Sequence, residues 1–362
     1  MIKKIKLFDP VIGREEQVAL IKVLKSKFWA SGSGGGNVNK FEKEFQKYIG
    51  SNECIAVNSG TAALNLALSL VDIKNKEVIL PSLSFVSTAH AVVLNGGIPV
   101  FVDIEPYTLC LDPEKIRKSI TTRTKVVLPV HFAGMPCNLN KIESICEEYG
   151  LTLIEDAAHA AGAVYNAKKI GTHGMAVCFS FHPVKNLAMP TGGLISINHK
   201  EHKKIRNKLL AKRWCGITNR KDSSYDVKGL GWNYYLNEFS ASIGLTQLKK
   251  LDKNNKKRQN IAKRYYTELN LESKMPFSSN CVYHFYWFLT KNREKLRKRL
   301  SSTGIETGTH YTPIHKFSMY KNSHKLPITE NAGKNIITIP THPNLTNLDV
   351  DKIINIINTY AS

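Results

Sequence analysis

Leu153-Ile-Glu155-Asp156-Ala157-Ala158-His159 is a short apolar run that ends in two carboxylates and turns into small residues. It closes a series. Apolar runs at 54–58, 77–80, 98–102, 124–130 and 151–155 alternate with helical spacing over 61–71, 86–95, 112–120 and 138–149. Short apolar runs separated by amphipathic helices predict βαβ units and a mainly parallel sheet. Asp156 then sits at the carboxyl end of a buried strand, where open α/β sheets bind ligands. A buried carboxylate there needs a cationic partner, and a protonated pyridine nitrogen would serve. Capping the helix that begins at Ala157 is the competing role for the same side chain.

Two further windows share this layout. Val57-Asn-Ser59-Gly60-Thr61-Ala62-Ala63-Leu64 reads as strand, small-residue turn and helix start. The free N–H groups of a first helical turn and the hydroxyls at its cap suit a phosphate, or serve as an ordinary Ser/Thr cap. Val177-Cys-Phe-Ser180-Phe181-His182-Pro183-Val184-Lys185-Asn186-Leu187 embeds a lysine among apolar and aromatic residues, ahead of Gly192-Gly193. Desolvation lowers a lysine pKa, and a partly neutral amine can form a Schiff base with an aldehyde. A phosphate cradle, an aspartate about 95 residues on and a lysine 29 residues beyond it make up the layout of a pyridoxal-phosphate site.

Outward from these windows the chain changes character. Residues 14–28 and 38–48 show helical spacing on either side of Ser31-Gly-Ser-Gly-Gly-Gly36. That loop lacks the Walker lysine and follows a helix, so on its own it reads as a flexible connection. Beyond about residue 200 the pattern turns helical and basic. One long helix or a kinked pair is predicted over 237–270, a strand near 283–289, and helices over 292–302 and 348–360. A large cofactor-binding domain over 1–250 and a smaller α+β domain over 251–362 follow from this.

Charge is the unusual quantity. The 362 residues include 51 Lys+Arg against 29 Asp+Glu, a net charge of +22, and residues 191–362 hold 30 of the basic and 12 of the acidic side chains. Such a balance points to a polyanionic partner: nucleic acid, a membrane surface or a phosphorylated small molecule. No helix-turn-helix, zinc-finger or RNA-binding signature is present, and no run of about 18 apolar residues. Neither nucleic acid nor a membrane is therefore expected as a partner. The seven cysteines are scattered, with no CxxC and no zinc-like pairing with histidine. They read as reduced thiols in a cytoplasmic protein without a metal site.

More motifs run from one end of the chain to the other. They are Phe28-Trp-Ala-Ser-Gly32, Pro81-Ser-Leu-Ser-Phe85-Val-Ser-Thr88, Pro129-Val-His131-Phe-Ala-Gly134 and Glu155-Asp-Ala-Ala-His159, then Gly231-Trp-Asn233-Tyr234 with Gly244-Leu-Thr-Gln-Leu248. Gly304-Ile-Glu-Thr307, His310-Tyr-Thr-Pro-Ile-His315 and Ile339-Pro-Thr-His342-Pro-Asn-Leu-Thr346 follow. In these the chain resembles the DegT-type sugar aminotransferases, fold type I enzymes that use pyridoxal 5'-phosphate (PLP).

The resemblance implies a role for each matching residue. Lys185 would carry the cofactor and move the proton. Asp156 would pair with the pyridine nitrogen, His159 would lie near the phenolic oxygen, and Phe85 would stack on the ring. Gly60, Thr61, Ala62 and Ser180 would hold the phosphate. Asn233 would reach the phosphate of a neighbouring subunit, giving a homodimer with a shared active site. The loop with His310, Tyr311 and His315 would border the sugar, and Trp29 with the glycine loop would close over the sugar or its diphosphate. The implied reaction moves an amino group from L-glutamate to a nucleotide-linked 4-keto-6-deoxyhexose in amino-sugar or polysaccharide biosynthesis.

Two positions depart from the family pattern, Tyr235 in place of an arginine and Thr191 in place of an acidic residue. They keep a non-nucleotide sugar or cyclitol ketone open as acceptor. A PLP-dependent sugar dehydratase would carry histidine at the Schiff-base position, where this chain has Lys185. A PLP-bound regulator without catalysis is the alternative that the basic half suggests.

Overall fold

The predicted alternation closes into one seven-stranded sheet in a computed structural model that describes residues 4–321 and 325–361. Helices α1 (Arg14–Ser26) and α2 (Gly36–Ile49) precede it. Then come β1 (Glu53–Val57), α3 (Gly60–Leu68), β2 (Glu77–Pro81), α4 (Ser87–Leu94), β3 (Ile98–Val102), α5 (Pro113–Ser119) and β4 (Thr124–Val127). These are followed by α6 (Leu139–Tyr149), β5 (Thr152–Asp156), a small ribbon of β6 (Val164–Tyr165) and β7 (Lys168–Lys169), β8 (Ala176–Ser180) and β9 (Gly193–Ile197). The spatial order is β1-β9-β8-β5-β4-β2-β3. Only β9 is reversed, pairing antiparallel with both β1 and β8, so the carboxyl ends of the other strands share one edge.

Side-chain alternation along the strands divides the interior into two layers. Cys54, Ala56, Ile79, Leu153, Val177 and Phe179 enter one core, with α2 and the long helix Glu238–Glu268 over it. Ile55, Val57, Val78, Leu80, Ile154 and Cys178 enter the other, which α3 and α4 cover. With both faces covered, the strands read as nearly continuous apolar runs, which is why they were legible.

The rest of the chain comprises α7 (His202–Arg213), β10 (Ile217–Lys221), β11 (Ser224–Val227), α8 (Glu238–Glu268), β12 (Tyr286–Leu289), α9 (Arg293–Ser302), α10 (Pro327–Asn335), β13 (Ile336–Ile339) and α11 (Asn347–Tyr360). Of the two readings of 237–270, the single helix is the one observed. Asn237 caps it by accepting the Ser240 N–H at 2.8 Å. The hairpin of β10 and β11 interrupts the stretch after residue 200 that reads as helical and basic, and it was not expected. Its residues are almost all exposed, so no apolar alternation marks it in the sequence. The strand expected near 283–289 begins only at Tyr286, because Tyr283 turns the chain with φ +45°. The N-terminal segment returns to the C-terminal half through Ile5, which donates to the Gly304 carbonyl at 2.8 Å and accepts from the Glu306 N–H at 2.9 Å. Among the described residues no helix is long and apolar enough to cross a membrane.

Candidate active site

The shared strand edge opens into a cavity of about 320 Å³. Gly60, Thr61, Phe85, Asp156, His159, Ser180, Lys185, His310 and Tyr311 all line it. Among the described lining residues Lys185 is the only lysine or arginine, and Asp156 the only carboxylate. The floor is built by close backbone approach. A Cβ on Gly60 would come within 2.7 Å of the Ser180 Cβ, and one on Gly193 within 2.3 Å of the Ser59 carbonyl. The ends of β1 and β8 and the start of β9 therefore meet without side chains between them. Ser59 caps α3 by accepting the Ala62 N–H at 3.1 Å. The first turn of that helix, with the Thr61 and Ser87 hydroxyls 2.7 Å apart, faces the cavity beside Ser180.

Asp156 ends β5 and is buried. One carboxylate oxygen accepts the Thr88 hydroxyl at 2.9 Å, the other the Ala158 N–H at 3.1 Å. A carboxylate has about four lone-pair sites, so capacity remains on the cavity side. Burial pushes its pKa up, against those hydrogen bonds and the nearby Lys185. Burial also pulls the Lys185 amine down to about 8, with Asp156 acting in the opposite sense. The neighbouring Asn186 pins the lysine loop, donating to Asn255 Oδ1 and to the Val282 carbonyl, both at 2.9 Å.

Four histidines surround the amine: His159, His182, His284 and His310. Burial pushes each imidazole pKa down, and the positive charge of Lys185 adds to the effect; His310 falls to about 4. They face the cavity as neutral groups. The Ala133 N–H donates to His159 Nδ1 at 3.3 Å, so the proton of the neutral ring is on Nε2. Nε2 lies 3.1 Å from the Tyr311 hydroxyl and donates to it. The hydroxyl's own hydrogen is then free for an acceptor in the cavity.

Four of the expected residues lie outside this cavity. Ala62 is buried within the first turn of α3, its N–H taken by Ser59. Trp29 packs on Phe239 with ring centres 5.8 Å apart and is half exposed. Asn233 is exposed and accepts from Asn58 Nδ2 through its backbone carbonyl at 3.3 Å. His315 is enclosed between Ser82 and Glu330. The start of α2, beside the glycine loop, is occupied by this chain's own Glu238, whose carboxylate accepts the Asn37 N–H at 2.6 Å and the Val38 N–H at 3.3 Å.

Phe8, Thr88, His182 and His284 line the cavity without having been singled out. Thr88 and His182 stood in windows already read for chemistry. Phe8 and His284 arrive from remote parts of the chain and stack on each other at 5.1 Å, which no local pattern announces.

Comparison with known proteins fits this geometry. Residues 10–358 match the model of the DegT/DnrJ/EryC1/StrS aminotransferase family. The uncharacterized protein MJ1066 of Methanocaldococcus jannaschii is 36% identical over 380 residues, covering 98% of this chain and 97% of the relative. Helicobacter pylori PseC, an aminotransferase involved in the biosynthesis of pseudoaminic acid, superposes with a TM-score of 0.93 at 27% identity and 99% coverage of both chains. S. venezuelae DesV, solved in complex with a ketimine intermediate, gives a TM-score of 0.88 at 31% identity, covering 96% of this chain and 94% of that one.

Proposed function

The chain belongs to the DegT/DnrJ/EryC1/StrS aminotransferase family, and from that premise we propose that it transfers an amino group from L-glutamate to a nucleotide-linked 4-keto-6-deoxyhexose in amino-sugar or polysaccharide biosynthesis. It is a PLP-dependent aminotransferase with the α/β fold of the fold type I enzymes. The part that PseC plays in pseudoaminic acid biosynthesis supports the sugar as acceptor.

The residues present fit the cofactor. The cavity is lined by one partly buried amine, one buried carboxylate with spare lone pairs, and a helix start with hydroxyls beside it. When bound, PLP supplies an aldehyde for an amine and a cationic ring that draws an electron pair from the substrate carbon. The Asp156 carboxylate would hold the proton on the ring nitrogen. Gly60, Thr61 and Ser180 would hold the phosphate at the start of α3. Phe85 would cover one face of the ring, and His159 would lie near its phenolic oxygen. Lys185 Nζ takes and returns the proton in both half-reactions, a task suited to an amine whose pKa has been brought near the working pH. His310 and Tyr311 border the acceptor. Asn233 is exposed and lies outside the cavity of its own chain, which supports service to a second copy in a homodimer.

The observation that carries this reading is that, among the described lining residues, Lys185 is the one lysine or arginine and Asp156 the one carboxylate. The test is spectroscopic. Protein purified with PLP should lose its visible absorbance on adding glutamate and regain it on adding the keto-sugar nucleotide. No response to glutamate or to any other amino donor would overturn the reading. One feature favours a second acceptor class. Thr191 lines the cavity and gives its hydroxyl to the Asn58 carbonyl, where the family pattern has an acid. Recovery with scyllo-inosose and with no sugar nucleotide would select the non-nucleotide ring ketone.

A further inference from the structure

Two segments from distant parts of the chain form one wall of the cavity. Residues 84–88 follow β2 and supply Ser84, Phe85, Ser87 and Thr88, while the loop after Gly308 supplies His310 and Tyr311. Their junction is Ser82. Its carbonyl accepts the Ile314 N–H at 2.8 Å, and its Oγ accepts the His315 N–H at 3.0 Å. The Glu330 carboxylate can only accept, so the hydrogen of the neutral ring is on Nε2, directed at Oε1 at 3.4 Å. Nδ1 is then unprotonated and accepts the Ser82 hydroxyl, 2.7 Å away. Glu330 is itself held by Lys316 Nζ at 3.0 Å and by the Leu326 N–H at 3.3 Å. The helix that carries it, α10, is tied to the end of β3. Asp103 accepts the Ile328 N–H at 3.1 Å, the Thr329 N–H at 2.8 Å and the Thr329 hydroxyl at 2.8 Å.

We infer that Ser82, His315 and Glu330 form a clamp that sets the Tyr311 loop against the segment after β2, and that His315 is a positioning residue with no substrate contact. The ring is enclosed, only 1% exposed, and both of its nitrogens are committed. It has nothing left to offer a ligand. The Ser82–His315 contact is buried, and it specifies one arrangement because separating the two leaves a buried polar group unpaired. The arrangement it specifies is the placement of Tyr311 opposite His159, with Phe85 and Thr88 on the same wall. The sequence motif that joins His310, Tyr311 and His315 thus divides into two wall residues and one anchor.

This inference rests on the aminotransferase reading only for its kinetic arm. The structural arm is hydrogen exchange of residues 308–316 in the cofactor-free protein. Ser82→Ala and His315→Leu should each speed that exchange about tenfold, the scale of losing one buried hydrogen bond. His315→Asn can still accept from Ser82 and should recover most of the protection. The double variant Ser82→Ala/His315→Leu should fall short of the sum of the two single effects, as expected for partners that share one interaction. In the kinetic arm the same variants should raise the KM for the keto acceptor about tenfold and alter kcat less. Unchanged exchange in Ser82→Ala would overturn the clamp, as would loss of kcat in His315→Asn with exchange unchanged. Absence of turnover in the unaltered protein would overturn the functional reading alone, and the exchange arm would still decide the clamp. Should His315→Leu not fold, Ser82→Ala and His315→Asn carry both arms.

Discussion

Glu155 and Asp156 are adjacent on β5, both carboxylates, both buried, and they lead opposite lives. Successive strand residues point to opposite faces of a sheet, so one residue of separation puts them in different layers. The Glu155 carboxylate is closed in by the chain, with His131 Nε2 at 2.8 Å and the Gly174 N–H at 2.6 Å. The Asp156 carboxylate also has two donors from the chain but keeps an open side on the cavity. Burial of a polar group is thus no guide to function by itself. What separates the two is whether the group's spare hydrogen-bonding capacity faces a cavity or is shut in by packed chain. His159 and His315 repeat the contrast, one at the cavity wall beside Tyr311 and the other closed between Ser82 and Glu330.

Substitution at the open site should cost activity without costing stability. Lys185→Ala should lower turnover by at least about 10³-fold, the range of a lost general acid-base group, with the visible absorbance of the bound cofactor gone. Residual turnover within tenfold of the unaltered enzyme would break the comparison at its strongest point. The cofactor-free protein should also report on this lysine through pH. The partly buried amine loses its proton near pH 8, while in the unfolded chain it keeps it to about 10.5. Between those values the unfolded state binds more protons, so stability rises with pH across that window and its contribution is flat below it. The rise is about 3 kcal/mol at most. Urea denaturation of Lys185→Met, compared over the same pH range, should lack it.

Asp156→Asn comes next, with turnover lower by about 10²-fold, the scale of losing one preorganised electrostatic partner. Its neighbour should behave in the reverse manner. Glu155→Gln leaves His131 or the Gly174 N–H without a full partner and should cost ~2 kcal/mol in urea denaturation, with kcat within about threefold of the parent. Equal losses of activity in the two variants would show that the enclosed network also touches the chemistry.

The same contrast explains what could be read from the sequence. Asp156, Ser180 and Gly60 stand at the ends of apolar runs, and their chemistry follows from position on a sheet edge. Lys185 was legible because its neighbours are apolar. Enclosure by the chain, by contrast, is a long-range property. His315 and Ser82 are 233 positions apart, and His315 carries no local sign that its nitrogens are committed. His284 enters the cavity only because the chain turns at Tyr283 and the His284 N–H docks on the Ala133 carbonyl at 2.8 Å. Phe8 enters because the N-terminal segment is bridged at Ile5 to Ile305. The β10–β11 hairpin escaped for a different reason, since an exposed ribbon leaves no apolar trace. The net charge of +22 finds no explanation in the cavity, whose described lining residues include a single lysine and no arginine.

The finest test is one atom on the open side. Thr88→Val keeps the shape of the side chain and removes the hydroxyl that donates to Asp156 at 2.9 Å, leaving the Ala158 N–H as the remaining donor from the chain. Burial already pushes the Asp156 pKa up, and the Thr88 hydrogen bond is one of the forces opposing it. Without that bond the carboxylate should ionise at higher pH. The ring nitrogen would then lose its anionic partner on the acid side first. Cofactor retention should weaken by about tenfold, the scale of one hydrogen bond to a charged group. The acid limb of the pH–rate profile should move up, with activity returning as pH rises. An acid limb that stays in place would mean that Thr88 only packs against Ser84 and Phe85, and that the ionisation of Asp156 is governed from the cavity side by Lys185.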